Sequence, residues 1–165
     1  MKVACYWGRF NPPHKGHMKV IKNILKKVDK IEIVIGAKEK KDTKRNPFSG
    51  EERVKMMKAY LKEERIPVQR ARVITIPDGK TWEEARQMLL KKCPKANIIF
   101  TDKKRVINTL GKVLEVRKIR RTGNISSTRI RNAIKKDKKW KHLTGRSVAK
   151  IIEDKKWVER IKSAK

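Results

Sequence analysis

The chain has 165 residues, of which 47 are Lys or Arg and 17 are Asp or Glu, so its formal net charge is +30. This length suits one domain with one sizeable core and argues against a separate substrate domain. The charge favours an anionic partner, either a polyanion or a phosphorylated metabolite, although most of the lysines are expected simply to coat solvent-facing helix surfaces.

The apolar stretches are too short for a membrane protein. Examples are Ile31–Ile35 and Ile98–Phe100, far below the roughly 20 residues that span a bilayer. Met1 leads directly into a strand-like segment without the apolar region and cleavage site of an export signal. We therefore expect a cytoplasmic protein with no membrane partner. Cys5 and Cys93 do not resemble a disulfide framework and are expected to be reduced thiols.

Five short segments, mostly apolar or β-branched, are predicted to be buried parallel strands. In chain order they are Val3–Trp7, Ile31–Ile35, Val73–Ile76, Asn97–Thr101 and Val113–Val116. Apolar residues spaced three and four apart predict helices between them. One helix starts near Lys15, a second is capped by Ser49 and a third by Thr81. The chain turns helical again from about residue 126, and the apolar residues between Val148 and Val158 predict one last helix.

This alternation predicts a single α/β domain over residues 1–165, with a helical C-terminal portion from about residue 126. Its core is a doubly wound five-stranded parallel sheet with right-handed crossovers and helices on both faces. In such sheets, ligands bind beyond the carboxyl ends of the strands, near the point where strand order reverses.

The first predicted strand ends in a segment that carries two of the chain's three histidines. Positions three apart share one face of a helix, so His14 and His17 can point together at an anion held by the helix N-terminus, and Gly16 leaves the backbone open to it. A chance surface pair and a metal site are the alternatives. Zinc would need further ligands, and only the distant His142 is available, so no metal ligand is assigned.

A second phosphate-binding turn is predicted at the start of the helix after the fifth strand. Ser126, Ser127 and Thr128 would present backbone N–H groups and hydroxyls together, and neighbouring arginines add charge. Taken alone, such a sequence is usually only a helix cap. The basic loop over residues 36–48 could close over a triphosphate.

Three motifs then follow one another in a specific order: His-x-Gly-His at His14–His17, Arg-Asn-Pro-Phe-Ser-x-x-Glu-Arg at Arg45–Arg53, and Ile-Ser-Ser-Thr-x-Ile-Arg at Ile125–Arg131. Together they resemble the nucleotidyltransferase superfamily, and within it the archaeal-type nicotinamide mononucleotide (NMN) adenylyltransferases. The resemblance implies a Rossmann-like nucleotidyltransferase fold and transfer of AMP from ATP to NMN, giving NAD and pyrophosphate. It also implies Mg²⁺ bound with ATP, and a homo-oligomer.

The resemblance further implies roles for individual residues. Those assigned to catalysis are His14, His17 and Arg45. Those assigned to ATP binding are Gly8, Arg9, Phe10, Gly16, Ile125, Ser126, Thr128 and Arg129. Those assigned to acceptor binding are Asn46, Asp102 and Trp82, which would stack on the nicotinamide ring unless it serves only in helix packing.

Departures from the family pattern fall mainly on the acceptor side. The chain has Asn11-Pro12-Pro13 for Gln-Pro-Phe, Asn46-Pro47-Phe48 for Asp-Pro-Phe, and Thr101-Asp102-Lys103 for Ser-Gly-Asn. An adenylyl- or cytidylyltransferase with another phosphorylated acceptor, such as a pantetheine or sugar phosphate, is therefore an alternative. A basic nucleic-acid-binding protein on the same scaffold is a second alternative, favoured by the net charge of +30.

Overall fold

The computed structural model describes residues 1–121 and 123–165. Its centre is one sheet of five strands, all paired in parallel, in the order β3-β2-β1-β4-β5. The strands are β1 (Val3–Gly8), β2 (Lys30–Ile35), β3 (Ala71–Thr75), β4 (Ile98–Thr101) and β5 (Glu115–Lys118). The predicted doubly wound α/β fold is confirmed.

Seven α-helices are found in the described ranges: α1 (Lys15–Leu25), α2 (Gly50–Glu63), α3 (Trp82–Lys92), α4 (Lys104–Leu110), α5 (Ser127–Lys135), α6 (Arg146–Asp154) and α7 (Trp157–Ser163). Ser49 and Thr81 cap α2 and α3 through their hydroxyls, as predicted. None of these helices has the length and apolar character needed to cross a bilayer.

The sheet separates two layers of packed side chains. Alternate residues of a strand point to opposite faces, so Ala4 and Tyr6 of β1 join one apolar cluster while Cys5 joins the other. The larger cluster packs α1, α2, α5, α6 and α7 on one face, and the smaller packs α3 and α4 on the other. Cys5 and Cys93 are free and buried in the smaller cluster.

Four elements differ from the sequence prediction. Strand β3 starts at Ala71, two residues before the predicted Val73, and ends at Thr75. The expected last helix is two helices, because Lys156 takes a left-handed conformation with φ of 55° between α6 and α7. Helix α4 was missed, since it is short and has no side-chain cap. Strand β5 starts two residues later than predicted, and Leu114, the expected strand residue just before it, is buried in the smaller cluster.

The strand order places a crevice beside β1. From β1 the chain crosses through α1 to β2 on one side, whereas β4 pairs with β1 on the other. The loops that leave β1 and β4 therefore diverge at the carboxyl edge of the sheet, which is where ligands bind in doubly wound folds.

A buried guanidinium ties the loops at this edge together. Arg53 of α2 is fully buried and donates to the carbonyls of Ser49 at 3.0 Å, Arg9 at 2.9 Å, Gly36 at 2.8 Å and Ala37 at 2.7 Å. Burial, and then repulsion from Arg9, lower the pKa of Arg53 to about 10, so the group stays charged at neutral pH. Arg53 thus fixes the exits of β1 and β2 against the start of α2.

Replacing Arg53 with Met should leave these carbonyls without their donor and lower the free energy of unfolding by at least about 3 kcal/mol. Urea unfolding followed by circular dichroism measures the loss. Lys55→Met, at an exposed position of the same helix, is the control and should change stability by no more than about 0.5 kcal/mol. Equal losses in the two variants would contradict the anchoring role of Arg53.

Candidate active site

The two histidines at the end of β1 form a reciprocal cap on α1. His14 is the N-cap residue, and its Nδ1 accepts from the backbone N–H of His17 at 3.3 Å. Nδ1 of His17 in turn accepts from the backbone N–H of His14 at 3.2 Å. This is the arrangement of a capping box, in which the side chains at N-cap and N3 satisfy each other's backbone donors. The spacing of three residues follows from it, and the rings stack with centroids 3.6 Å apart.

These hydrogen bonds also fix the tautomers of the imidazoles. Because Nδ1 of each ring accepts, the proton of each neutral ring lies on Nε2. Burial, aided by Arg121, lowers the pKa of His14 to about 4. Burial and then the charges of His14, Arg121 and Lys103 put the pKa of His17 well below 6.5. Both rings are therefore neutral at pH 7, and Nε2–H is the ring donor that the capping bonds do not use. Neither histidine is among the residues that line the cleft described below.

Gly16 is required by the close approach of the His14 ring. A Cβ atom at this position would lie 2.9 Å from Cε1 and 3.0 Å from Nδ1 of His14. It would also lie 3.6 Å from the carbonyl oxygen of Ile125, the first residue of the Ile-Ser-Ser-Thr-x-Ile-Arg motif. The N-terminus of α1 and the segment before α5 are therefore in contact.

Direct hydrogen bonds join these two segments. The carbonyls of residues 11–13 accept, in order, from Nη1 of Arg131 at 2.7 Å, Oγ of Ser127 at 2.8 Å and Oγ1 of Thr144 at 2.7 Å. The loop that carries the histidine pair is thus bound along its length by side chains from the C-terminal third of the chain. Two helix N-termini, each with no acidic residue in its first turn, meet at one place.

Cations surround this meeting point. Repulsion between them is evident from the pKa values: after burial, Arg45 and Arg9 lower that of Arg131. Desolvation and then Arg121 likewise lower the pKa of Lys103. A region in which cations repel one another in this way is suited to a ligand with several negative charges.

A cleft of about 560 Å³ opens beside the cations. Its lining comes from the exits of β1 and β2, the loop before α2, the start of α3 and the start of α4. The residues are Trp7, Gly8, Arg9, Gly36, Arg45, Asp78, Gly79, Lys80, Thr81, Trp82, Ala85, Lys103, Lys104 and Arg105. Trp82 is 41% exposed and packs edge-on against Trp7, with ring centroids 5.8 Å apart. The cleft therefore combines positive charge with exposed aromatic surface.

The family model described as cytidylyltransferase-like matches residues 5–133 of the chain. The chain is also 31% identical to the nicotinamide-nucleotide adenylyltransferase of Thermococcus kodakarensis over 98% of its own length and 88% of that relative. The enzyme of the same name from Caldivirga maquilingensis is 34% identical, over 98% of this chain and 93% of that relative. The chain belongs to the nicotinamide-nucleotide adenylyltransferase family. The resemblance identified from the motifs is confirmed.

Solved structures of similar fold are more distant in sequence. A bifunctional NMN adenylyltransferase/ADP-ribose pyrophosphatase from Francisella tularensis, crystallised with AMP and a manganese ion, has a TM-score of 0.83 at 20% identity. The match covers 98% of this chain and 52% of that protein, so this chain spans about half its length. A candidate nicotinate-nucleotide adenylyltransferase from Vibrio parahaemolyticus has a TM-score of 0.72 at 18% identity, covering 96% of each chain. At these identities the likeness supports the fold.

The residues expected to bind ATP in this family member fall into two groups. Gly8 and Arg9 line the cleft, together with Arg45, which was expected to act in catalysis, and Gly16 and Ile125 mark the contact between the two motifs. Exposed Ser126 and Thr128 use their hydroxyl oxygens as acceptors, from the N–H of Arg129 at 3.0 Å and from Nη2 of Arg131 at 3.2 Å. Their O–H donors remain for a phosphate.

Phe10 and Arg129 have local structural contacts. Phe10 is buried in a left-handed conformation, and its ring packs edge-on against His17 with centroids 4.7 Å apart. Phe10 was expected to bind ATP, but its ring is buried and packs against His17. The exposed side chain of Arg129 donates to the carbonyl of Asn124 at 3.0 Å.

The residues expected to bind the acceptor do not all lie together. Trp82 is on the rim of the cleft, whereas Asp102 forms a two-point ion pair with Arg121 and is not among the lining residues. Asn46 is buried, and its Oδ1 has no hydrogen-bond partner within the described part of the protein. It therefore has an acceptor atom to offer, next to Arg45.

The sequence analysis gave no role to Arg131, Thr144, Lys103 or Arg121, and it expected the hydroxyl of Ser127 to face a phosphate. Ser127, Arg131 and Thr144 bind the histidine loop, while Lys103 and Arg121 add charge close to the imidazoles. Ser127 and Arg131 lie within the recognised motif, which was the signal that could have identified them. Thr144 stands in no motif.

Within the described residues, no group of three or more His, Cys, Asp or Glu side chains is arranged to hold a metal ion. The nearby carboxylates are already paired, Asp78 with Arg9 at 3.7 Å and with Lys40, and Asp102 with Arg121. This donor set does not fit a resident metal site. It fits a divalent ion that arrives with a polyphosphate, which is how Mg²⁺ usually binds at such sites.

Gly16→Ala should displace the His14 ring and reduce kcat/KM on the order of 100-fold, because small misplacements of catalytic groups are costly. Ala is otherwise the better helix former by about 1 kcal/mol, so thermal stability should not fall in proportion. Steady-state kinetics and thermal unfolding together measure both effects. Lys15→Ala, at the neighbouring exposed position, is the control. Unchanged activity in Gly16→Ala would contradict the need for close approach.

The lowered pKa of His14 makes folding stability depend on pH. Between pH 6.5 and about 4 the unfolded chain binds a proton at this imidazole that the folded protein does not, so stability should fall as pH is lowered through this window. The contribution at pH 5 is about 1–2 kcal/mol. His14→Asn keeps a side-chain cap but does not titrate. Urea unfolding at pH 7.5 and pH 5 should show a smaller loss in the variant than in the wild type, and equal losses would refute the assignment.

Proposed function

We propose that the protein transfers the adenylyl group of ATP to the phosphate of NMN, forming NAD and releasing pyrophosphate. The main observation behind this proposal is that two motifs distant in sequence are in contact in the structure. Side chains of Ser127 and Arg131 hold the loop of the histidine pair, so that two helix N-termini and several cations converge. Membership of the nicotinamide-nucleotide adenylyltransferase family supports the same reaction.

The reaction needs alignment and charge stabilisation more than proton transfer. An oxygen of the acceptor phosphate attacks the α-phosphorus of ATP, and the bond from that phosphorus to the bridging oxygen of the β-phosphate breaks. The acceptor phosphate is already an anion at neutral pH, so no general base is required. In-line geometry follows from holding both phosphates firmly. This explains a site with imidazoles and guanidiniums and no catalytic carboxylate.

In this mechanism the imidazoles act as neutral donors. Both Nδ1 atoms accept from the backbone, so His14 and His17 offer Nε2–H groups held in fixed positions. Preorganised donors stabilise the charge that develops on the phosphoryl oxygens without reorganising during the reaction. Arg9, Arg45 and the N-terminus of α1 supply positive charge to the polyphosphate.

The divalent ion is proposed to be Mg²⁺, bound as part of the ATP complex, where it would neutralise charge on the departing pyrophosphate. The ion would be held mainly by phosphate oxygens, since Asp78 and Asp102 are engaged in ion pairs. The family resemblance also supports a homo-oligomer, which analytical ultracentrifugation would test.

Incubation with ATP, Mg²⁺ and NMN should yield NAD and pyrophosphate in equal amounts, detected by chromatography. Absence of NAD would reject the proposed reaction. Pyrophosphate release with a pantetheine or sugar phosphate, and none with NMN, would instead support the alternative acceptors.

His17→Ala should lower kcat on the order of 100-fold while changing the KM for ATP far less, because the lost donor acts on charge that develops in the transition state. His17→Gln, which keeps a donor and an acceptor, should recover part of the loss. His142→Ala, at the exposed third histidine, is the control and should behave as the wild type. A His17→Ala variant with unchanged kcat would contradict the assigned role.

A further inference from the structure

The loop over residues 36–48 carries Arg45 on a turn that is open to solvent. Residues 38–45 are exposed, whereas residues 46–48 are buried. The backbone N–H of Thr43 donates to the carbonyl of Asn46 at 3.2 Å, and Oγ1 of Thr43 accepts from the N–H of Asn46 at 3.0 Å. Arg45 therefore lies within a tight turn, and its position depends on what holds that turn.

A cavity lies between the middle of this loop and the start of α2. Its volume is about 430 Å³, and Lys41 and Asp42 of the loop line it together with residues 50–52 of α2. Arg160 of α7 lines the same cavity. A side chain from a third element is therefore in a position to connect the loop to α2 across this space.

Arg160 makes that connection through two carboxylates. Its Nε lies 3.8 Å from Oδ1 of Asp42 in the loop, and its Nη1 donates to Oε2 of Glu52 in α2 at 2.6 Å. Glu52 is itself held, because the same Oε2 accepts from the N–H of Ser49 in the capping box of α2. The guanidinium of Arg160 also lies over the ring of Trp157, 5.1 Å from its centroid. Arg160 thus ties the exposed loop to a fixed point.

Two further contacts join the same C-terminal segment to the loop. The ring of Trp157 packs against that of Phe48, at the buried end of the loop, with centroids 5.2 Å apart. The carbonyl of Lys165, just beyond α7, accepts from the backbone N–H of Lys44 at 2.8 Å. Lys44 directly precedes Arg45, so the contacts lie on both sides of Arg45 as well as beside it.

Arg45 has to be held against the repulsion of other cations. It lines the cleft, and its charge adds to burial in lowering the pKa of Arg131. Like charges repel one another, so a loop without further contacts would relieve this repulsion by moving Arg45 away from the cleft. The contacts with α7 oppose that movement.

We propose that α7 and the residues after it position Arg45 for the polyphosphate, with Arg160 as the residue that fixes the loop against α2. Arg160 is a positioning residue, since it is not among the residues that line the cleft and acts through the loop. The inference rests on the proposed adenylyl transfer for the role of Arg45, and it adds the element that places this side chain.

Limited digestion with trypsin tests the hold on the loop without any need for turnover, because Lys38, Lys40, Lys41, Lys44 and Arg45 are cleavage sites. Arg160→Gln should be cut within the loop about two- to fivefold faster than the wild type, the scale of a partly exposed ion pair, since cleavage follows the population of the open loop. Mass spectrometry of the fragments identifies the sites.

Lys162→Gln is the matched control for this digestion. It removes a trypsin site and an ion pair from the same helix, but the partner is Asp137, at 2.6 Å, and not the loop. Its loop should be cut at the wild-type rate. Equal rates of loop cleavage in Arg160→Gln and the wild type would overturn the positioning role.

A double-mutant cycle tests whether Arg160 acts through Arg45. Calorimetric titration with ATP and Mg²⁺, without an acceptor, should give a Kd about two- to fivefold higher in Arg160→Gln than in the wild type. In an Arg45→Gln background the same substitution should change the Kd by less than about 1.5-fold, because the residue that it positions is already absent. A general structural loss would instead weaken ATP binding equally in both backgrounds.

The outcomes separate this inference from the proposed function. If the wild type binds ATP but forms no NAD, the proposed reaction is rejected, while loop cleavage and the ATP cycle still decide the role of Arg160. If NAD is formed and Arg160→Gln binds ATP as the wild type does, the proposed function stands and the inference is overturned. Equal effects of Arg160→Gln in both backgrounds would overturn it as well.

Discussion

Three consecutive backbone carbonyls, of residues 11–13, hold the site together. Each accepts a hydrogen bond from a side chain more than a hundred residues further along the chain. A loop of this kind cannot satisfy its carbonyls within a strand or helix, and buried carbonyls without partners are costly. Binding by Arg131, Ser127 and Thr144 meets that requirement, and at the same time it brings α5 against the N-terminus of α1. The same hydrogen bonds that satisfy these backbone carbonyls thus also assemble the candidate site.

The histidine pair likewise meets a structural requirement and a chemical one with the same side chains. His14 and His17 satisfy the first backbone donors of α1, a task that Ser and Glu perform in most capping boxes. The use of imidazoles adds a chemical property to the structural one, because capping commits Nδ1 of each ring and leaves the proton on Nε2. Nearby cations and burial then keep both rings neutral. The helix cap and the donors proposed for a phosphoryl group therefore belong to the same two rings, and the capping bonds fix the orientation of both.

Much of the fold could be predicted because its signals are local. Ser49 and Thr81 cap helices where the sequence indicates, and the three central strands, β2, β1 and β4, are mostly apolar and largely buried. The bounds of the edge strands β3 and β5 were predicted less well, because most of their residues are partly exposed. The break at Lys156 could not be predicted, since the apolar periodicity continues across it without a glycine or proline.

The site was predictable only in part, for a related reason. A motif identifies which residues gather, but the partner of each side chain depends on packing over long distances. Arg53 is the last residue of a recognised motif and was given no role, yet it is fully buried and donates to four carbonyls. Thr144 has no neighbouring pattern, and its role follows only from where α6 brings it. Asp102 was expected to bind the acceptor, but its carboxylate forms an ion pair with Arg121.

The mutual repulsion of the site's cations has a consequence for binding. Desolvation and neighbouring guanidiniums lower the pKa values of Lys103 and Arg131, so holding these cations together is electrostatically unfavourable. A polyphosphate removes this repulsion as well as making direct contacts. The hydrogen bonds from backbone N–H to Nδ1 of His14 and His17 hold both rings in place and oppose a second proton on either ring. The site thus responds to the ligand through its electrostatics and keeps the geometry of the two rings fixed.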